Sequence, residues 1–281
     1  MLEYKKVGYL TSDFRMFHIV DENLRLINYH YHDYHKILIL LKGDVTYYIE
    51  GHAYELKPND IVLVNAGEVH KPVIHSDKPY ERIIIYISPE FINKYTEDEN
   101  DLSLCFRHAL SEQSHVLRLP SFKNSRLGAI TKDLDRSRDD KSYAHQLHHK
   151  LLFLEFLLQL NRATIQNKIK FIETTASSKK ILSILDYINQ HLTEDLSIDD
   201  LSDRFFLSRY YLMHSFKEQT GYTIGEYISK RRLNLARELI SAGEPITTAC
   251  YECGFKNYST FSRAYKKYFG EAPRKQKAGN N

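Results

Sequence analysis

Cysteine is scarce in this 281-residue chain, three in all, and tryptophan does not occur. Three thiols with no secretory leader point to a reducing cytoplasm rather than a disulfide framework. Long apolar runs are missing as well. The longest, Ile37–Leu41 and Leu151–Leu154, fall far short of the roughly 18 residues a membrane span needs. The opening MLEYKKVGYLTSDF has no apolar run behind its lysines, so neither a signal peptide nor a membrane partner is expected. No Ser/His/Asp set, phosphate-cradling glycine loop or paired-carboxylate spacing is present, and no catalytic residue or cofactor is assigned. What remains is ordinary soluble composition, 42% hydrophobic and 27% charged, at a length that suits two domains.

The net charge of +3 is unevenly divided. Residues 1–175 hold 23 basic and 24 acidic side chains, a net of −1, whereas residues 176–281 hold 16 and 12, a net of +4. From Gly254 onward seven cations face Glu271 alone. Positive charge gathered at one end of a chain is an electrostatic footprint for a polyanion.

Residues 25–90 read as strands. Short β-branched and aromatic runs are broken at Lys42-Gly43-Asp44, Glu50-Gly51-His52, Pro58-Asn59-Asp60 and Asn65-Ala66-Gly67. Turns at that spacing imply an antiparallel sandwich or small barrel, with Asn59 placed for a left-handed conformation. Residues 90–140 read as short helices and loops. HQLHHKLLFLEFLLQL, 145–160, is a strong helix with Leu147, Leu151, Leu154 and Leu158 on one face and Phe153, Leu157 and Leu160 on the next. A helix apolar over so much of its circumference needs cover on two sides, one from the β domain and one from a second helix or a partner subunit. Periodicity fades over residues 164–179, which read as a linker between a domain at 1–163 and another at 180–281.

Beyond the linker the pattern is helical and duplicated. Gly221 and Gly270 lie 49 residues apart, and that shift lays FLSRYYLMHSFKEQTG on FKNYSTFSRAYKKYFG. Phe206 then falls on Phe255, Leu212 on Phe261, Phe216 on Tyr265, Lys217 on Lys266, and the N-cap residue Ser208 on Asn257. Each copy follows a shorter helix, opened by Ser197 in one case and by Pro245 with Ile246 in the other. A short helix, a tight turn and a longer helix with a basic polar face make a helix-turn-helix, here twice. Between the copies runs a helix from Ile224 to about Ser241, opened by the capping box Thr223 and Glu226. It spans roughly 27 Å, a suitable strut for two probes entering major grooves about 34 Å apart. Cys250 and Cys253 have redox or zinc spacing, but at i, i+3 on one helical face they read as core.

On these residues the last hundred positions resemble the DNA-binding domain of the AraC/XylS transcription regulators. Tyr227, Ile228, Arg232, Leu233, Ala236, Leu239 and Ile240 match its connecting helix. Ile246, Gly254, Phe255, Phe261, Lys266, Gly270 and Pro273 match its second helix-turn-helix. Thr248, Ala249, Cys250 and Cys253 depart from the family's usual Glu, Ile, Ala and Val, as does Gln276-Lys277, implying looser packing or less specific binding there. The resemblance places DNA-facing residues at Arg209, Tyr210, Met213, His214 and Lys217 in the first unit. In the second it places them at Tyr258, Ser259, Ser262, Arg263 and Lys266. Arg263 suits bidentate contact to guanine, while Lys217 and Lys266 suit phosphates.

The segment YHYHDYHKILILLKGDVTYYIEGHAYELKPNDIVLVNAGEVHKPV resembles the cupin-like sensor domain that many such regulators carry. In metal-binding cupins two alternating histidines, a glutamate and a later histidine converge. His30, His32 and His70 fit the histidine positions, but Lys36 occupies the glutamate's, so no metal is assigned. The resemblance implies an α+β chain: a cupin-like β-barrel with a helical dimerisation segment, then an all-α domain of two helix-turn-helix units joined by a long helix. It implies a homodimeric, cytoplasmic transcription regulator with promoter DNA, RNA polymerase and a small effector, by precedent a sugar, as partners. His30, His32, Tyr34, Lys36, Tyr47 and His70 are the expected ligand pocket, under an arm at about residues 5–20. The alternatives are a metal-dependent cupin enzyme and a regulator whose N-terminal half only dimerises.

Overall fold

A computed structural model of the chain describes residues 7, 8, 10–22, 27–75, 78–95, 101–112, 114–166, 168–174, 179–241 and 243–274. The chain divides into two compact units, Met1–Ala176 and Ser177–Asn281.

In the first unit the elements run β1 (Phe14–Asp21), β2 (His35–Lys42), β3 (Val45–Ile49), β4 (His52–Glu55), β5 (Ile61–Val64), β6 (His70–Ile74), β7 (Tyr80–Ile87), α1 (Pro89–Asn93), α2 (Leu104–Ser111), β8 (Val116–Arg118), α3 (Arg126–Ser137), α4 (His145–Ile165) and β9 (Lys170–Phe171). The strands form two antiparallel sheets, ordered β1-β7-β2-β5-β8-β9 and β4-β3-β6, rather than one closed ring. The central strands β2, β5 and β7 of the six-stranded sheet are buried on both faces, which is why β2 reads as an unbroken apolar run instead of alternating. Side-chain parity then divides the core. Ile37 and Ile39, with Ile61, Leu63, Ile83 and Ile85, pack against Phe106, Phe153, Phe156 and Leu157 of the helices. Leu38 and Leu40, with Val62, Val64 and Ile84, pack against Tyr47, Ile49 and Tyr54 of the small sheet. Two turns follow from local chemistry. Glu50 and Gly51 both take positive φ, 46° and 86°, in the two-residue hairpin between β3 and β4. Asn59 takes the expected left-handed φ of 74°.

Three expectations are corrected. The second part of the arm at 5–20, from Phe14 on, is a regular strand: β1 pairs with β7 from Phe14↔Ile87 to Asp21↔Tyr80. Residues 5, 6 and 9 of that arm lie outside the described residues. Residues 116–118 are also a strand rather than helix or loop. The linker is shorter than its lost periodicity suggested. The α4 helix continues to Ile165, β9 extends the large sheet, and Thr174 Oγ1 exchanges hydrogen bonds with the Ala53 backbone. The remaining stretch, 175–178, lies outside the described residues.

The second unit is helical: α5 (Lys179–Gln190), α6 (Ile198–Arg204), α7 (Arg209–Thr220), α8 (Ile224–Ser241), α9 (Ile246–Glu252) and α10 (Tyr258–Phe269). Its helix starts are capped as their residue types dictate. Ser197, Ser208 and Asn257 accept from the backbone N–H three residues on, at 3.0, 3.2 and 3.1 Å. Thr223 and Glu226 close a reciprocal capping box, at 3.2 and 2.9 Å. Both longer helices end on left-handed glycines, Gly221 and Gly270. The α8 rod packs on α7, α9 and α10. Cys250 and Cys253 are fully buried in its company with Phe261 and Tyr265, so the departures at Ala249, Cys250 and Cys253 sit within a packed core.

The repeat is out of step at its turns. The longer helices keep the 49-residue shift, Arg209 to Tyr258, but the shorter ones start at Ile198 and Ile246, 48 apart. The first turn is therefore one residue shorter. Phe206, whose N–H bonds to Asp203 O, is the counterpart of Gly254, whose N–H bonds to Tyr251 O, and not of Phe255. Gly254 takes φ +92°, and Phe206 is forced to +52° with its ring 91% exposed.

Candidate functional site

Two constellations carry chemistry. On α7, the N-cap at Ser208 turns Arg209, Tyr210, Met213 and His214 to solvent, while Leu212, Ser215 and Phe216 are buried and Lys217 is half-buried. Tyr210 and His214 stack one helical turn apart, with centroids 5.8 Å from each other. Arg209 is ion-paired with Asp199 at the start of α6, which sets an anion beside it before any polyanion arrives. On α10, Tyr258, Ser259, Arg263 and Lys266 are exposed and Ser262 is half-buried, over Phe261 and Tyr265 in the core. Arg263 Nε bends back to Ser259 O at 3.3 Å, leaving its terminal nitrogens outward. No ion pair engages Arg263, Lys217 or Lys266 among the described residues. Two capped helices thus present cations, hydroxyls and stacked rings, held through α8, and this surface suits phosphates and base edges.

The second constellation lies between the two sheets. The chain path from the His30 bridge through the bend at 33–34 into β2 brings His30, His32, Tyr34 and Lys36 together, toward Tyr47 of β3 and His70 at the start of β6. All six expected pocket residues meet there. His30 and His70 form a β-bridge with rings 4.4 Å apart, and His32 lies 5.0 Å from His70. Tyr34 stacks on His32 at 4.6 Å. Lys36 Nζ donates to the Tyr47 hydroxyl at 2.8 Å and to His70 Nε2 at 3.3 Å. The three histidines each place a ring nitrogen within 4.8 Å of the other two, so they could hold a metal ion, although Lys36 reaches for the same His70 lone pair.

Each imidazole is oriented by a backbone carbonyl. Nδ1 of His30, His32 and His70 meets Asn28 O, Val7 O and Glu68 O at 2.8, 2.6 and 3.0 Å. A carbonyl can only accept, so Nδ1 carries the proton and Nε2 offers a lone pair. Burial, and then the Lys36 charge, hold His32 at a pKa of about 3 and His70 well below the imidazole range. Burial also lowers His30. Burial and the Arg82 charge bring Lys36 down to about 7. Sequence reasoning missed Tyr86, whereas Val7 and Gly8, which touch His32 and Tyr34, fall within the arm it expected over the pocket. Tyr86 faces Lys36 across the β2–β7 ladder and stands 4.6 Å from Tyr34. Gly8, at φ +82°, passes so near Tyr34 that a Cβ would meet its hydroxyl at 2.6 Å. Strand pairing with β2 alone reveals Tyr86; nothing local marks it. His35 and His75 lie apart from the cluster, His35 against Phe106 and His75 bonded to Thr46.

Comparison with known proteins agrees with this division. Residues 17–149 match the family model of the AraC-like ligand binding domain, and residues 201–278 match a helix-turn-helix domain. The HTH-type transcriptional activator RhaS of Escherichia coli strain SMS-3-5 is 24% identical over 259 residues, covering 90% of this chain and 88% of its own. RhaS of Shigella sonnei strain Ss046 is 26% identical over the same coverage. Among solved structures, unsaturated fatty acid bound ToxT from Vibrio cholerae strain SCE256 aligns over 95% of both chains at 18% identity, with a TM-score of 0.38. With a ligand-binding unit followed by a DNA-binding unit, the chain belongs to the AraC/XylS family and is a ligand-sensing transcription regulator.

Proposed function

We propose that the chain is a cytoplasmic transcription activator that works as a homodimer, binds a small hydroxylated metabolite among His30, His32, Tyr34, Lys36, Tyr47 and His70, and acts with RNA polymerase at its promoters. The observation carrying the DNA half is the pair of capped helices, α7 and α10, on one shared rod. Arg263 reads a guanine and the lysines hold phosphates. The likeness to RhaS, an activator by name, supports activation over repression.

The residue 7–8 segment closes over an occupant of the cluster. Val7 O is held by His32 Nδ1 and, at 3.3 Å, by the Tyr34 hydroxyl, so the segment is fastened to the cluster itself. The α4 helix supports self-association. Leu147, Leu151 and Leu158 are 59, 56 and 40% exposed on one stripe. Leu154, expected on the same face, packs on the core, so the interface rests on the other three. Binding of the full chain to sites found by genome-wide mapping tests the proposal. Specific duplex should be held at least about 10³-fold tighter than random duplex at physiological salt. Equal affinity for both would refute it.

A further inference from the structure

We propose that the effector is a small carboxylate that also bears hydroxyl groups, a sugar acid by chemical class; this rests on the effector-sensing reading above. The cluster leaves charge and hydrogen-bonding groups unmet. Lys36 is 5% exposed, and its polar partners are the Tyr47 hydroxyl and His70 Nε2, neither of them charged. The other cation nearby, Arg82, is taken by Asp21 at 2.7 Å and by Tyr80 O at 2.9 Å. No carboxylate pairs with Lys36 among the described residues. A buried ammonium without an anion is costly, and one negative ligand removes that cost.

The opposite need stands beside it. With Nδ1–H of all three imidazoles committed to carbonyls, Nε2 of His30, His32 and His70 can only accept. His32 Nε2 is buried with no partner at all. Buried acceptors of this kind call for hydroxyl donors. The Tyr47 hydroxyl accepts from Lys36 and keeps its own proton to give. A carboxylate lying on Lys36 and Tyr47 would replace the long Lys36–His70 contact, and adjacent hydroxyls would donate to the imidazoles. A neutral sugar answers only the imidazoles, and a hydrocarbon acid answers only Lys36. One unpaired cation matches one carboxylate, and among the described residues no free arginine fork faces the cluster for the higher charge of a phosphate.

The test is thermal melting of the full chain with D-gluconate, D-glucuronate and D-galacturonate, each beside the neutral sugar it derives from. At least one acid should raise the melting temperature by several degrees at millimolar concentration while its neutral counterpart does not. Lys36→Met should abolish the shift. Its unliganded melting temperature should be no lower than that of the unsubstituted protein, because an unpaired buried cation is gone, so lost response is not lost folding. Neutral sugars that shift the protein and Lys36→Met alike would overturn the acid class and leave the effector reading standing. Silence across the whole panel, with DNA binding also unresponsive, would overturn both. One equivalent of zinc retained through purification and lost in His70→Ala would overturn the proposal in favour of an ion.

Discussion

Replacing Phe206 by glycine should stabilise the DNA-binding unit. The short first turn places a phenylalanine at φ +52° where the second turn has Gly254 at +92°. A left-handed backbone costs an L-residue roughly 1–2 kcal/mol, which glycine escapes. Glycine gives back about 0.5–1 kcal/mol in chain entropy. With the ring 91% exposed, the substitution forfeits almost no packing. The net is about 0.5–1 kcal/mol of stabilisation, worth about 3–6 °C in a domain of this size. Differential scanning calorimetry of the full chain should show the gain in the transition of residues 177–281, with Phe206→Asn between the two and Phe206→Val below Phe. A fall in melting temperature for Phe206→Gly would refute the strain argument and mean that the ring is packed.

Three other outcomes are expected. Arg263→Ala should cost about 1–3 kcal/mol on the cognate site and relax preference at one base pair; equal loss on every duplex in a binding panel would remove it from base reading. Leu151→Glu and Leu158→Glu should shift sedimentation from dimer to monomer with little change in melting temperature, whereas Leu154→Glu should lower the melting temperature. The third concerns His18, clamped between Glu81 and Asp135 at 2.9 Å each. Burial would lower its pKa, but hydrogen bonds to those carboxylates outweigh it and raise the value above 6.5. A raised folded-state pKa gives stability that is complete below the ordinary imidazole value and fades as pH climbs through the raised one. His18→Gln should therefore destabilise more in urea denaturation at pH 5.5 than at pH 8.5; an equal effect at both would remove the charge from the clamp.

The histidine-lysine cluster was legible because the every-other-residue spacing of His30, His32, Tyr34 and Lys36 suits one face of an extended chain, although of the four only Lys36 lies within β2 and His30 joins His70 through a single bridge. The orienting carbonyls were not, since Val7, Asn28 and Glu68 are chosen by chain path and not by side chain. Tyr86 was hidden for a related reason. Inside YERIIIYI, a strand buried on both faces, nothing in the pattern says which side each residue takes.

By itself the sequence determined what local chemistry enforces: caps at Ser197, Ser208, Asn257 and Thr223, the hairpin at Glu50-Gly51, the left-handed Asn59, and the duplicated recognition helices. Each is settled within about one helical turn of chain. Tertiary structure alone decided that Phe14–Asp21 is an edge strand, since its partner Tyr80–Ile87 lies far along the chain, and that residues 116–118 and 170–171 complete the same sheet. It also decided that Leu154 faces inward while Leu151 does not, because a helix apolar nearly all round takes its orientation from whatever it packs against.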